Sequence, residues 1–214
     1  MSEKKKSLIV VPMKDPKISK SRLNDALAPE ARERLATLLF KNTIDVLLES
    51  VRFIDKIFEI AVITNSDQIK KIAKRKGTLL INDEKKPILS RSIKIASDWA
   101  DTNFYASMCV IPADLADPKT NDIISFLSYP LQEVGLAITP SIDLGTNALH
   151  ISPVNLIEFQ YGEKSSIKHI SSASSIGVTP IILPFDSLRF DVDTNLDLKE
   201  FLAINPDLAE WINN

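Results

Sequence analysis

Short runs of Ile, Val and Leu alternate along this 214-residue chain with stretches whose apolar residues recur at helical spacing. That alternation constrains the fold most. A strand that is apolar on both faces must be covered on both, which suits a sheet sandwiched between helices. Residues 8–11 read as a first strand. Residues 29–50 read as a long helix, with Pro29 in its first turn and Leu35, Leu38, Leu39, Val46 and Leu47 spaced along one side. Residues 58–64 read as a second strand, followed by a helix capped by Asn65-Ser66-Asp67 and ended by Gly77. Residues 78–81 predict a third strand, 88–100 a helix and 106–111 a fourth strand. The regularity then weakens: strands are expected at 135–139, 148–151, 178–183 and 188–192, and a helix around 167–176. Thr194-Asn195-Leu196-Asp197 has the form of a capping box opening the last helices. The pattern predicts an α/β fold with a mainly parallel mixed sheet flanked by helices, in one domain spanning 1–214.

A net charge of −2 argues against a nucleic-acid-binding surface, which needs a basic excess. No stretch approaches the ~18 apolar residues of a membrane span, and the apolar run at 8–13 is too short for a signal peptide. The single cysteine, Cys109, excludes an internal disulfide. These features predict a soluble, cytoplasmic protein with no membrane partner.

Chemistry concentrates near the C-terminus, where Asp191 and Asp193 are separated by one residue. In an extended segment such side chains point the same way, here at a carboxyl strand end, where open α/β sheets bind ligands. Two convergent carboxylates repel unless a cation lies between them, and Mg²⁺ is the usual occupant. A solvated strand end is the plainer alternative. A third acid, Asp114, follows the fourth strand in Pro112-Ala113-Asp114-Leu115 and shifts the balance toward a metal site. The loop after strand one carries Lys14, Lys17, Lys20 and Arg22 but no glycine, so it is neither a P-loop nor a dinucleotide fingerprint. Its cations suit a triphosphate instead, and its two prolines stiffen it more than solvation requires. Residues 143–149 and 161–169 place glycines and small hydroxyls at turns, the second running into a helix start suited to an anion. One Cys and two His make zinc a poor fit.

VPMKDPKISKSRL, PADL, GTNAL, YGEKSSIKH and FDVDT, in this order, resemble the 2-phospho-L-lactate guanylyltransferase family over nearly the whole chain. The resemblance implies a nucleotidyltransferase fold, GT-A-like and Rossmann-type. It also implies an activity: transfer of GMP from GTP to the phosphate of a three-carbon acid, with pyrophosphate released, in coenzyme F-420 biosynthesis. The acid is 2-phospho-L-lactate, phosphoenolpyruvate or 3-phospho-D-glycerate. Carried over by position, Asp114, Asp191 and Asp193 are the catalytic, Mg²⁺-binding acids. Thr146, Gly162 and Ser165 hold the acceptor, and Lys14, Lys20 and Arg22 lie near the GTP phosphates. The chain departs from the family pattern at Ala116, where proline is usual, at Leu144 before the GTN motif, and at Leu89-Ser90, where a leucine-asparagine pair is common. The oligomeric state is left open, a homodimer included. A related transferase using CTP or a nucleotide sugar, or a non-catalytic nucleotide-binding protein, are the alternatives.

Overall fold

A computed structural model describes residues 6–213, and within it seven strands form one twisted sheet. The strands are β1 (Ser7–Pro12), β2 (Phe58–Thr64), β3 (Leu79–Asn82), β4 (Ser107–Val110), β5 (Gly135–Pro140), β6 (Thr146–Ser152) and β7 (Ile181–Ile182). They lie in the order β3-β2-β1-β4-β6-β5-β7. All run parallel except β6, which is antiparallel to both β4 and β5. The reversal has a consequence for chemistry. It brings the first residues of β6, Thr146 and Asn147, to the sheet edge where the other strands end.

Among the described residues, seven α-helices complete the fold: α1 (Pro29–Ser50), α2 (Asp67–Arg75), α3 (Leu89–Thr102), α4 (Thr120–Ser128), α5 (Ser165–Ser175), α6 (Asn195–Ile204) and α7 (Asp207–Asn213). Alternation along β1 divides the core. Ile9 and Val11 face a cluster containing Phe40, Ile44 and Leu47 of α1, Ile69 of α2 and Phe126 of α4. Leu8 and Val10 face the opposite side, with Ile93 and Ala96 of α3 and Ala173 of α5. A third cluster joins Leu35 and Leu39 of α1 to Val192, Leu198 and Phe201. This last cluster anchors the segment that carries Asp191 and Asp193.

The helix 29–50 and the strand 58–64 form as the periodicity predicts. Three expectations need correction. Residues 188–192 do not form a strand: Leu188 closes a 3-10 turn, and Asp191 makes only an isolated antiparallel bridge to Leu115. Of 178–183 only Ile181 and Ile182 pair as β7, because Pro180 offers no N–H and Pro184 ends the run. Ser66 occupies the N-cap of α2, but its hydroxyl donates to Asp15 Oδ2 at 3.2 Å instead of serving as an acceptor for the helix. Helix α4 was not anticipated; it is nine residues long and buries only Ile123, Phe126 and Leu127. The capping box forms as expected, with Thr194 and Asp197 each accepting from the other's backbone N–H.

Candidate active site

Asp114 lies just past β4, and its loop is stitched to the 190–193 segment by backbone bonds. Ala116 N–H donates to Phe190 O at 2.9 Å, and Val192 N–H donates to Asp114 O at 3.2 Å. A proline at 116, as the resemblance leads one to expect, would have no N–H for the first of these. The stitching replaces the strand expected at 188–192 and still converges the acids. Asp114, Asp191 and Asp193 each offer a carboxylate oxygen within 4.8 Å of the others, the one such cluster among the described residues.

The basic loop after β1 closes over this cluster. Asp15 organises it: Oδ1 accepts from the Lys17 N–H at 3.0 Å, and the Asp15 carbonyl accepts from Ser19 Oγ at 2.9 Å. The chain then turns through a left-handed residue, Lys20, at φ 56°. A β-unbranched but non-glycine residue there stores strain, as functional loops often do. Lys20 is buried, and its ammonium donates to Asp114 and, at 3.0 Å, to Asp193 Oδ1. Burial alone would lower the Lys20 pKa, but the two carboxylates more than offset it and hold the group protonated. Arg22 lies 3.6 Å from Asp193 and is 72% exposed, so its contribution to folding is small. Lys14 is exposed and lines the cleft. Lys17 is exposed and does not line the cleft, as suits a solvated loop residue.

The acids differ in charge state. Burial, then the neighbouring Asp114 charge, pushes the Asp191 carboxyl up to about 6. Burial would raise Asp193 too, but Lys20, with Arg22 and Lys14 behind it, holds that carboxyl below its ordinary value. Lys20 thus neutralises one side of the trio and leaves Asp191 as the side short of positive charge. Asp191 is held by a residue not singled out in the sequence: Asn147 Nδ2 donates to its Oδ1 at 3.0 Å. The signal was present in GTNAL, where Asn147 follows Thr146.

Thr146 and Asn147 open β6 and make contacts in two directions. Asn147 reaches Asp191, while Thr146 Oγ1 lies 2.9 Å from Ser165 Oγ and 3.0 Å from His169 Nδ1. His169 Nε2 accepts the Gln160 N–H at 2.9 Å, so the ring proton belongs on Nδ1 and is donated to Thr146. Burial, with Lys168 adding to it, lowers the His169 pKa to about 4 and keeps the ring neutral. With its oxygen engaged by His169, the Thr146 hydroxyl directs its own proton toward Ser165 or a ligand. Ser165 is the first residue of α5, and its N–H donates to Gly162 O at 3.1 Å across a turn where Gly162 has φ 120° and Lys164 φ 50°. Ser166 donates through both Oγ and N to Leu144 O, tying α5 to the β5–β6 turn. Gly145 sits in that turn, where a Cβ would meet Ser141 Oγ at 2.6 Å and force that hydroxyl to move. Tyr161 N–H donates to Ser90 Oγ at 2.8 Å, which gives the Leu89-Ser90 departure a structural role in joining α3 to the loop before α5.

The proposed acceptor residues and the acids are therefore joined through adjacent positions on one strand, beside a cleft of about 300 Å³. The profile described as "Guanylyl transferase CofC like" matches residues 7–207. The chain belongs to that guanylyltransferase family. It is 31% identical over 208 residues to the 3-phospho-D-glycerate guanylyltransferase of Colwellia psychrerythraea, covering 96% of this chain and 95% of the relative. Phosphoenolpyruvate guanylyltransferase of Sphaerobacter thermophilus is 29% identical, covering 94% of each. The 2-phospho-L-lactate guanylyltransferase of Methanocaldococcus fervens is also 29% identical, covering 90% and 83%. Among solved structures, a nucleotide-diphospho-sugar transferase from Desulfovibrio desulfuricans superposes with TM-score 0.69 at 16% identity, covering 97% and 98%. A nucleotidyl transferase from Methanothermobacter does so with TM-score 0.65 at 11% identity, covering 95% and 100%. The guanylyltransferase family thus has the nucleotidyltransferase fold here, and no described helix is long and apolar enough to cross a membrane.

Proposed function

We propose that the protein transfers the guanylyl group of GTP to the phosphate of a three-carbon phospho-acid. The observation that carries this reading is the joining, through Thr146 and Asn147, of a hydroxyl cluster to a carboxylate trio beside a cleft lined by Lys14 and Lys20. An oxygen of the acceptor phosphate forms a bond to the α-phosphorus, and the bond from that phosphorus to the β-bridging oxygen breaks. Pyrophosphate leaves with the electron pair. A phosphate is already ionised near neutral pH, so the step needs alignment and charge neutralisation more than a general base.

The acid trio fits Mg²⁺ on two grounds: its donors are all oxygen, and an ammonium already sits between two of them as a stand-in cation. Asp114, Asp191 and Asp193 would hold the ion, which when bound neutralises charge on the α-phosphate and leaving group. Lys14, Lys20 and Arg22 stabilise the departing pyrophosphate. Thr146 and Ser165 donate to the acceptor phosphate, and Gly162 gives their turn its left-handed geometry. The three relatives are named for three different acids, and we place this chain's product, an activated phospho-acid, in coenzyme F-420 biosynthesis as the resemblance implies.

Pyrophosphate release is measured with GTP, Mg²⁺ and each of 3-phospho-D-glycerate, phosphoenolpyruvate and 2-phospho-L-lactate. Turnover with one acid and little with CTP or UDP-glucose is the expected result. Binding of GTP without turnover on all three acids refutes the proposal. Asp114→Ala or Asp193→Ala should lower the rate by roughly 10²–10³, the scale of losing one preorganised electrostatic partner.

A further inference from the structure

The cleft lined by Asp114, Asp193, Lys14 and Lys20 is walled elsewhere by a fourth acid, Asp83, beside Ser92, Pro87 and Leu89. Asp83 follows β3 directly, and Asp114 lies four residues past β4. Those strands are three positions apart in the sheet, or ~14 Å at ordinary strand spacing. That span leaves room for a nucleoside between phosphates held at one place and a base held at the other.

Asp83 is built as a fixed acceptor. Its Oδ1 accepts the Glu84 N–H at 2.8 Å, and its Oδ2 accepts from Ser92 Oγ, also at 2.8 Å. No lysine or arginine pairs with it among the described residues. An ionised carboxylate has about four acceptor positions, so each oxygen keeps one for a ligand. The result is a flat edge of two acceptors, with apolar Pro87 and Leu89 flanking it.

We infer that Asp83 reads the Watson–Crick edge of guanine in the donor nucleotide, an inference that rests on the guanylyl-transfer reading above. Guanine presents two neighbouring donors there, N1–H and the 2-amino group, which match two carboxylate acceptors. Adenine and cytosine each set an acceptor beside their one amino donor, and uracil flanks its N–H with two carbonyls. Each of these three would place an acceptor against Asp83. A half-buried polar edge left unmatched in this way discriminates more strongly than an apolar pocket does.

The test compares GTP, inosine triphosphate, xanthosine triphosphate and ATP, with Mg²⁺ and the best acceptor acid, on the full-length protein. Inosine triphosphate lacks the 2-amino donor and should be used about tenfold less well than GTP by the unmodified enzyme, through KM. Asp83→Asn replaces one acceptor by a donor. It should lose about 10²-fold in kcat/KM for GTP and gain at least tenfold for xanthosine triphosphate, which carries a carbonyl at position 2, while KM for the acid stays constant. Equal use of GTP and inosine triphosphate by the unmodified enzyme overturns the inference even where the variant fails to fold. So does an Asp83→Asn protein that loses all nucleotides equally. In either case the guanylyl-transfer reading stands as long as GTP is turned over; no turnover of GTP with any of the acids defeats that reading instead.

Discussion

Replacing Lys20 by Met keeps most of the apolar stem of the side chain and deletes the ammonium with its charge and donors. Lys20 meets Asp193 at 3.0 Å and Asp114 more closely still. At 3.0 Å, with an effective dielectric near 20, one such contact is worth roughly 5 kcal/mol before costs. Two terms reduce it. Desolvating a buried ammonium costs several kcal/mol, and the Asp114 and Asp193 side chains are 31% and 41% exposed, so water screens both attractions. A net loss of about 2–3 kcal/mol remains, mostly because the variant leaves close carboxylates facing each other uncompensated. In a protein of this size each kcal/mol moves Tm by roughly 2–4 °C, so Lys20→Met should melt about 4–12 °C lower in EDTA. Millimolar Mg²⁺ should then stabilise the variant more than the unmodified protein, because the vacated position leaves the trio with a larger charge deficit. Thermal melts of both proteins with EDTA and with Mg²⁺ decide the matter, with Lys17→Met as an exposed control that should not shift. A change under 2 °C in EDTA, or equal Mg²⁺ shifts in both proteins, refutes the reasoning.

Asp191 provides a pH test, since its carboxyl is raised from 3.8 to about 6. Between those values the folded state binds the extra proton, so the contribution of this group to stability is present at low pH and lost as pH rises through 6. In EDTA, Asp191→Asn should therefore gain stability relative to the unmodified protein from pH 4 to pH 7.5 in urea titrations; a constant difference refutes the assignment. For His169 the shift is downward, from 6.5 to about 4. Its contribution is present above 6.5 and lost as pH falls through 4, so it should add no pH dependence to activity between pH 7 and 8. His169→Phe removes the donor to Thr146 and should raise KM for the phospho-acid about tenfold while KM for GTP holds, measured by initial rates; a rise in both marks general damage. Gly145→Ala should cost at least tenfold in kcat/KM for the acid, because its Cβ must displace Ser141 Oγ from 2.6 Å; unchanged kinetics show that the turn yields without moving Thr146.

The sheet was legible in the sequence because strands buried on both faces carry unbroken apolar runs, as in 58–64, and because α1 repeats its buried positions over 22 residues. The second half was less legible for identifiable reasons. Helix α4 is short, and its buried Ile123, Phe126 and Leu127 lie among apolar neighbours that blur the period. Residues 188–192 look like a strand by composition, yet only a loop lies alongside them, and one bridge to Leu115 is all the pairing available. The convergence of the acids was predicted from strand geometry and arises from loop stitching. The cations of the first loop could be counted but not ranked: that Lys20 is buried between carboxylates while Lys17 is exposed follows from the left-handed turn at Lys20, which no local residue pattern announces.

The reversed strand β6 explains why the two halves of the site can act together. Had β6 run parallel to its neighbours, Thr146 and Asn147 would open at the opposite edge of the sheet, far from the acids. Antiparallel pairing places them between β4 and β5 at the carboxyl edge, and the pleat then separates their side chains, one toward Asp191 and one toward His169 and Ser165. A rigid peptide unit therefore fixes the spacing between the cation-seeking trio and the hydroxyls facing the acceptor. The turns on either side hold that unit in register: Leu144 and Lys164 both adopt left-handed backbone, and Ser166 bonds across to Leu144. Among the described residues four non-glycine positions have positive φ, and three of them, Lys20, Leu144 and Lys164, lie in the three loops that meet here. Strain of this kind persists only where the surrounding contacts over-determine the backbone. It is concentrated where the positions of donor and acceptor phosphates must be set relative to each other, because in-line transfer between two anions depends on alignment more than on any single reactive group.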